Sequence, residues 1–387
     1  MILQLASYSD VHTLISTRIH VVLLGGRDPR LLGGSVRARN TRVASRVDAD
    51  VLDPDTLPAD SPAEFDSVVL VPATVALDPS LFPLPELSAA TVLETPAGAR
   101  LIAGPWRDVE PFAAVPHGAA TLSLPRLAVA AGSFFDVSTA DGCRTAGREI
   151  LLRTGKPTDG WVSRNVNRPI SRVLSYGLLG IGLSAWHASV MTLIIGILGA
   201  IVAAQPGYAA FVEMGVLFQI ASILDGVDGE MARATLTESE AGARLDTIID
   251  QITYISFFVG VTIGWAREGG SAVILWWTVL VVLALLVSLL RGARFVSLHA
   301  PDASWVFIDR SVRRAAQDSG QMPLRAAASL FVLLRRDAFA VIFMLTSLTG
   351  RRAFVPFMVA FGAMVANFTF SYYNRELAAA AARERSS

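Results

Sequence analysis

Long apolar runs in the second half of the chain constrain its fold more than any other feature. A membrane-spanning helix needs about 17–25 mostly apolar residues. We expect six spans, at His187–Ala204, Gly207–Ile223, Leu245–Trp265, Ser271–Leu290, Phe339–Leu348 and Phe354–Tyr372. The fifth run is short and flanked by charged residues, so the pattern does not define its ends. Only 17% of the 387 residues are charged, against about 25% in a soluble globular domain, which excludes a wholly soluble protein.

The net charge of zero hides an asymmetry between the two parts of the chain. Residues 1–150 hold 17 acidic and 12 basic side chains, whereas the remainder holds 16 acidic and 21 basic ones. With six spans and a cytoplasmic N-terminal part, 18 of the later basic residues lie inside and three lie outside. Because basic residues concentrate in cytoplasmic loops, we expect a multi-pass protein of the inner (cytoplasmic) membrane with both termini in the cytoplasm.

The first 155 residues predict a soluble α/β domain. Short apolar runs at Ile19–Leu24, Ser67–Val71 and Leu127–Ala131 alternate with clusters of Pro, Asp and Gly, which is typical of strands and turns. Cys143 is the single cysteine, so a disulfide scaffold is excluded. The first 20 residues do not have the pattern of a signal peptide.

A basic segment joins the two parts. Arg164, Arg168 and Arg172 follow an i, i+4, i+8 spacing, which on an α-helix places them on one face. We interpret this segment as an amphipathic helix on an anionic membrane surface, with an ordinary linker helix as the alternative. The expected divisions are a soluble domain at 1–155, a juxtamembrane segment at 156–186, a six-span domain at 187–375 and a cytoplasmic tail at 376–387.

Four aspartates at the cytoplasmic ends of the second and third spans carry the chemistry. Asp225 and Asp228 are three residues apart, and Asp246 and Asp250 are four apart, so each pair shares one helical face. The two spans are antiparallel and joined by a short turn, which allows all four carboxylates to meet. Such carboxylates repel one another unless cations neutralise them. Hard divalent ions prefer oxygen ligands, and two such ions can clamp a phosphoryl-transfer site.

The residues around the aspartates extend this pattern. Gly229 follows Asp228 directly, Gly242 precedes Asp246 by one turn, and Ala232 is also small. Glycine inside a helix costs about 1 kcal/mol relative to alanine, so its presence twice beside the cluster indicates close approach of a ligand or a helix. Arg233 is placed to pair with a phosphate.

In full, the segment reads Asp-Gly-Val-Asp-Gly-Glu-Met-Ala-Arg over residues 225–233, with Gly242, Asp246 and Asp250 at fixed distances after it. Eight positions at this spacing resemble the motif of the CDP-alcohol phosphotransferase (CDP-alcohol phosphatidyltransferase) family, and the resemblance covers about residues 156–375. A Thr-Pro-Asn-type segment that many members carry at the first span is replaced here by residues 187–192, where only Thr192 clearly remains.

The resemblance implies a specific reaction. Family members transfer a substituted phosphoryl group from a CDP-alcohol donor to an acceptor alcohol and release CMP. By position, the resemblance implies that Asp225, Asp228 and Asp246 hold Mg²⁺ or Mn²⁺, as two ions. It implies that Asp250 also contacts metal and takes the proton of the acceptor. The cytidine and diphosphate site it implies consists of Gly229, Ala232, Arg233 and Gly242. Membrane lipid and a second copy of the chain in a homodimer are expected partners; nucleic acid is not.

A second resemblance concerns the junction and the N-terminal domain. Lys156-Pro157-Thr158-Asp159-Gly160 and the arginine-rich run after it resemble the junction of di-myo-inositol phosphate phosphate synthase fusions. In those proteins a nucleotidyltransferase-like domain precedes the membrane domain. Here Gly25-Gly26-Arg27 fits the expected phosphate loop only loosely, and Ala73 or Thr74 stands where a metal-binding acid is expected. Lys156 is the only lysine in the chain. We therefore expect an N-terminal domain that has lost catalysis.

Three classes of function remain in competition at this point, and the first is a membrane transferase that acts on a CDP-alcohol in one of two forms. Phospholipid synthesis from a lipid CDP-alcohol leads, and the alternative is soluble inositol phosphodiester synthesis from a CDP-inositol-like donor. From another class, paired acids in adjacent spans also occur in cation transporters, where they lie near the middle of the membrane and beside broken helices. A non-catalytic membrane scaffold is the third reading, and the intact motif argues against it. The expected fold class is an α-helical membrane protein with six transmembrane helices after a soluble α/β nucleotidyltransferase-like domain.

Overall fold

The computed structural model describes residues 19–24, 28–52, 67–84, 87–113, 124–156, 159–269, 273–299, 306–319 and 336–373, with isolated positions between 322 and 329 and between 375 and 379. Contacts divide the chain into two compact units. One comprises 1–154, 176–183 and 232–237, and the other comprises 155–175, 184–231 and 238–387.

The N-terminal unit is built on a mixed six-stranded sheet. Its strands are β1 (Ile19–Leu23), β4 (Asp50–Leu52), β5 (Ser67–Val71), β7 (Thr91–Glu94), β8 (Arg100–Gly104) and β9 (Arg126–Ala128). The order across the sheet is β4-β1-β5-β8-β7-β9. The pairs β4–β1, β1–β5 and β7–β9 are parallel, and β5–β8 and β8–β7 are antiparallel. The three runs that the sequence marked as strands all contribute to this sheet.

Short strands and helices complete the same unit. Two antiparallel pairs are formed by β2 (Arg30–Leu31) with β3 (Gly34–Ser35) and by β6 (Val75–Leu77) with β10 (Phe134–Asp136). The helices are α1 (Val36–Arg46), α2 (Trp106–Val109) and α3 (Ala140–Leu152).

Both faces of the sheet are covered. Successive side chains of a strand point to opposite faces. Val21 and Val69 accordingly belong to one buried cluster with Val43 of α1, whereas Val22 and Leu70 belong to another that includes Trp106 of α2. The unit therefore has the two-sided core of an α/β domain, as the sequence predicts.

The second unit is helical. Its helices, some of which extend into the segments grouped with the first unit, are α4 (Arg168–Gly180), α5 (Ala185–Ala203), α6 (Tyr208–Thr235), α7 (Glu240–Arg267), α8 (Val273–His299), α9 (Val306–Ser319), α10 (Arg336–Ser347) and α11 (Phe354–Tyr372). Five of these, α5, α6, α7, α8 and α11, are long and apolar enough to cross a membrane. The fifth expected span corresponds to α10, which has 12 residues in its described helix. The described residues therefore contain five candidate spans, and the sixth stays a prediction.

Helices α5 and α7 approach each other closely. A Cβ atom built on Gly199 would lie 2.1 Å from Cζ of Phe257, and one built on Gly196 would lie 2.7 Å from Oγ1 of Thr253. The absence of side chains at these two positions lets the backbones come together, as small residues do between membrane helices. Phe257 also contacts Phe218 of α6 edge to face, with ring centroids 4.6 Å apart. This packing holds the middle part of α7 in place, and the same helix carries two of the aspartates.

The juxtamembrane arginines differ from the sequence-based expectation. Residues Ser163–Asn167 form a π-helical turn, and the wider i to i+5 turn breaks the α-helical spacing that would align Arg164 with Arg168. Arg164 is exposed, whereas Arg168 is only 6% exposed. The expectation that Arg168 shares an exposed helical face with Arg164 is therefore wrong, because two carboxylates inside the unit bind the Arg168 guanidinium.

Candidate metal and phosphoryl-transfer site

Three of the four aspartates lie together in the helical unit. Carboxylate oxygens of Asp225, Asp246 and Asp250 are all within 4.8 Å of one another, and the three side chains are half-buried. Asp225 comes from α6, and Asp246 and Asp250 lie one turn apart on α7. A short connection between the two helices brings their ends to the same level. We call these three residues the acidic triad.

The triad has the donor chemistry of a hard divalent cation site. Each of its members offers carboxylate oxygen, the ligand type that Mg²⁺ and Mn²⁺ prefer, and the described residues group no histidine or cysteine with them. Oxygens within 4.8 Å of one another are close enough to contact a common ion. The half-buried positions leave a side open for a phosphate ligand. The residues present therefore fit a divalent metal ion.

Asp228 lies beside the triad but makes a different contact. Its carboxylate is 6% exposed, and Oδ2 accepts a hydrogen bond of 2.5 Å from Oγ of Ser189 on α5. Its Oδ1 accepts from the backbone N–H of Gly229 at 2.5 Å. The sequence grouped Asp228 with the other three aspartates, and its role in metal binding stays a prediction.

The hydroxyl of Ser189 is a contact of Asp228 that sequence reasoning missed. It lies in the segment 187–192, where the expected family pattern is largely absent and Thr192 alone was recognised. The Thr192 hydroxyl makes a local bond to the carbonyl of Ala188 at 3.1 Å. A hydroxyl at position 189 was visible in the sequence, but its pairing with Asp228, 39 residues later, depends on how α5 packs.

The residues expected to bind cytidine and diphosphate lie on both aspartate helices. Gly229 is half-buried next to Asp228, and Gly242 is exposed in the first turn of α7, where its N–H donates to the capping hydroxyl of Ser239 at 3.1 Å. Ala232 and Arg233 are half-buried near the end of α6 and group with the N-terminal unit. Nε of Arg233 donates to the carbonyl of Thr154 at 2.7 Å. Nucleotide binding by these four residues stays a prediction.

A layer of aromatic rings lies next to the triad along the helices. Tyr254 is one turn from Asp250, and its ring centroid is 5.5 Å from that of Phe218. Phe218 also contacts Phe343 of α10, with centroids 4.8 Å apart. Because packed aromatic rings leave little space for water, this layer closes the apolar side of the site.

Comparison with known proteins agrees with the geometry. Residues 185–368 match the family model described as CDP-alcohol phosphatidyltransferase. The chain is also similar to proteins named bifunctional IPC transferase and DIPP synthase. It is 35% identical over 135 residues to the one from Archaeoglobus fulgidus, covering 35% of this chain and 26% of that protein. The one from Thermococcus kodakarensis is 40% identical over 124 residues, which is 32% of this chain and 27% of that protein.

A longer match is found with the protein of the same name from Rubrobacter xylanophilus. It is 31% identical over 197 residues, covering 50% of this chain and 42% of that protein. In these three comparisons the chain spans between 26% and 42% of the length of the relative. All four aspartates and the closely packed helices α5 and α7 fall inside the residues that match the family model. Residues 185–368 are therefore similar to the CDP-alcohol phosphatidyltransferase family, whose members are transferases that act on CDP-alcohols.

Proposed function

We propose that this chain transfers a substituted phosphoryl group from a CDP-alcohol to an acceptor alcohol and releases CMP. The observation that carries the proposal is the acidic triad, Asp225, Asp246 and Asp250, whose oxygens lie within 4.8 Å of one another inside the matched domain. A cation transporter would hold such acids near the middle of broken spans. Here Asp225 lies ten residues before the end of a 28-residue helix, and Asp246 lies in the second turn of the next.

The proposed reaction balances as a substitution at phosphorus. The acceptor oxygen forms a bond to the phosphorus that bears the donor alcohol, and the bond from that phosphorus to the bridging oxygen breaks. CMP leaves with the bridging oxygen, and Asp250 takes the proton of the acceptor hydroxyl as general base. Mg²⁺ or Mn²⁺, as two ions, would neutralise the diphosphate when bound. Asp225, Asp228, Asp246 and Asp250 would hold the metal.

Substrate binding is assigned to the residues around the triad. Gly229, Ala232 and Gly242 leave room for the nucleotide because their side chains are small or absent. Arg233 would pair with the diphosphate through its Nη atoms, while its Nε stays bonded to the Thr154 carbonyl.

The cellular setting follows from the apolar helices. We propose six spans in the inner membrane, with the site at the cytoplasmic face and both termini inside. The exposed apolar side chains of the juxtamembrane region, Trp161, Ile170 and Val173, support contact of this region with lipid. A homodimer remains a prediction from the resemblance.

The experiment is CMP release by the purified full-length protein with Mg²⁺ or Mn²⁺. One arm offers CDP-diacylglycerol with glycerol phosphate or inositol phosphate as acceptor, which tests phospholipid synthesis. A second arm offers CDP-inositol with the same acceptors, and the names of the relatives, IPC transferase and DIPP synthase, favour this soluble phosphodiester product. Metal-dependent CMP release in either arm supports the proposal, and its absence across both arms with folded protein refutes it.

The N-terminal domain is proposed to be catalytically inactive. At the ends of β1 and β5, where a nucleotide would bind, the described residues enclose a cavity of about 20 Å³ bounded by Leu23, Asp28 and Asn40. Such a volume holds about one water molecule. The side-chain amide of Asn40 is already hydrogen-bonded within the fold. Its N–H donates to the carbonyl of Val75 and its oxygen accepts from the N–H of Leu77, both at 2.8 Å. The expected phosphate loop at 25–27 lies outside the described residues. Pyrophosphate release from CTP and inositol phosphate by the full chain would overturn this view.

Replacing Ser189 with alanine should weaken metal binding. The change removes the hydroxyl that donates to Asp228 at 2.5 Å, and a hydrogen bond to a charged group contributes about 1.5–3 kcal/mol. We expect the Mn²⁺ dissociation constant to rise about tenfold, measured by electron paramagnetic resonance on the full-length protein. Ser297→Ala is the control, since the Ser297 hydroxyl is exposed on α8 and bonds locally to Arg294. Equal Mn²⁺ affinity in both variants would show that Ser189 does not support the site.

A further inference from the structure

A fully buried carboxylate lies on the same helix as Asp225 and Asp228. Glu230 of α6 is 0% exposed. Its Oε1 accepts from Nη1 of Arg168 and from Oγ of Ser171, each at 2.8 Å. Its Oε2 accepts from Oγ of Ser175 at 3.0 Å. A buried charge is tolerated when it is paired and hydrogen-bonded, and both oxygens of Glu230 meet that condition.

Arg168 connects this carboxylate to a second one. Its Nε and Nη2 donate to the two oxygens of Asp159 at 2.8 and 3.0 Å, a two-pronged pairing that the planar guanidinium allows. Burial alone would raise the pKa of Asp159, but the hydrogen bond and charge of Arg168 outweigh it and hold this pKa below its usual range. One guanidinium therefore joins Asp159, before the π-helical turn, to Glu230 on α6.

The same group also contacts the backbone of α6 between the two aspartates. Nη1 of Arg168 lies 3.4 Å from the carbonyl oxygen of Gly226, and Oγ of Ser175 lies 3.5 Å from that of Val227. At about 100° per residue, the side of α6 formed by residues 226, 227 and 230 lies nearly opposite the side formed by 225, 228 and 229. The network therefore contacts the face of this helical turn that lies opposite the face bearing Asp225 and Asp228.

This placement makes the rotation of α6 matter for the site. A carboxylate about 6 Å from the helix axis moves roughly 2 Å when the helix rotates by about 20°. Metal–ligand distances are held to within about 0.2 Å, so even a small rotation would misplace Asp225 against Asp246 and Asp250. A buried ion pair adds little net stability compared with apolar packing, whereas it does fix one geometry.

We propose that Arg168 is a positioning residue, which through Glu230 and Asp159 fixes the rotation of α6 and thereby places Asp225 and Asp228 for metal binding. The consequence for turnover rests on the proposed function. The consequence for metal affinity does not depend on it.

The test is Mn²⁺ binding to the full-length protein in detergent, followed by electron paramagnetic resonance. We expect Arg168→Gln and Glu230→Gln each to raise the Mn²⁺ dissociation constant about tenfold, the size typical of residues that orient metal ligands. The double variant should lose no more than either single one, because both changes break the same link. Arg148→Gln and Glu240→Gln are matched controls at exposed positions, and we expect them to leave the constant unchanged.

Two graded variants separate positioning from simple stability. Arg168→Lys keeps a charge for Glu230 but loses the fork to Asp159, and Asp159→Asn keeps the Arg168–Glu230 pair. We expect each to raise the Mn²⁺ dissociation constant about threefold. If the glutamine variants do not fold, these milder variants provide the test. A lower melting temperature with unchanged Mn²⁺ affinity in folded Arg168→Lys and Asp159→Asn would overturn the proposal.

The outcome is distinguishable from failure of the proposed function. If the unsubstituted protein releases no CMP but its Mn²⁺ affinity still depends on Arg168 and Glu230, the reaction is wrong and the positioning role stands. If it releases CMP while the two variants bind Mn²⁺ normally, the positioning role alone is refuted.

Discussion

Asp250→Asn should reduce CMP release by at least a hundredfold while the protein stays folded. Asparagine has nearly the same shape as aspartate but cannot take the proton of the acceptor hydroxyl, and general base catalysis contributes about 10²–10⁴-fold. Asp250 is half-buried on α7, next to Asp225 and Asp246, so its loss acts at the centre of the site. The measurement is initial rate at saturating Mn²⁺, which compensates for any weaker metal binding.

The control for this prediction is Asp318→Asn, which removes the same charge from an exposed position on α9. It should release CMP at the unsubstituted rate. If Asp250→Asn at saturating Mn²⁺ also keeps that rate, Asp250 is not the base. A rate that is low at neutral pH and recovers as pH rises would agree with the prediction, because hydroxide then replaces the missing base.

The acidic triad could be predicted from the sequence because its geometry is local. Spacings of three and four residues set the helix faces, and the short connection between the spans sets their antiparallel arrangement. The positions of Asp225, Asp246 and Asp250 follow from these two facts. The strands β1 and β5 were also visible as apolar runs, since burial on both faces of a sheet leaves continuous apolar stretches.

The contacts that support the site were not predictable in the same way. Ser189 and Asp228 are 39 residues apart, and Arg168 and Glu230 are 62 residues apart. Their pairing depends on which helices pack together, which no local pattern encodes. The π-helical turn at Ser163–Asn167 also explains why the arginines do not share one helical face, because the prediction from their spacing assumes α-helical geometry throughout. The order of strands in the sheet was hidden for the same reason, since it reflects long-range pairing.

Removing the metal should abolish CMP release and lower the melting temperature. The carboxylate oxygens of the triad lie within 4.8 Å of one another, and two unit charges at that separation repel by about 3 kcal/mol at an effective dielectric constant of about 20. Bound metal at a hundred times its dissociation constant stabilises the folded state by about 2.7 kcal/mol. We therefore expect a chelator to lower the melting temperature by several degrees, and added Mn²⁺ or Mg²⁺ to restore both stability and activity.

Replacing one aspartate of the triad should raise the melting temperature of the metal-free protein and lower that of the metal-bound protein. In the metal-free protein, Asp246→Asn removes repulsion from Asp225 and Asp250, so its melting temperature should exceed that of the unsubstituted protein. With saturating Mn²⁺ the order should reverse, because the variant offers the ion one carboxylate fewer. Thermal unfolding of both proteins with chelator and with Mn²⁺ measures this crossover, and Asp318→Asn should show none. A difference in melting temperature between the two proteins that is the same with chelator and with Mn²⁺ would show that Asp246 does not bind the ion.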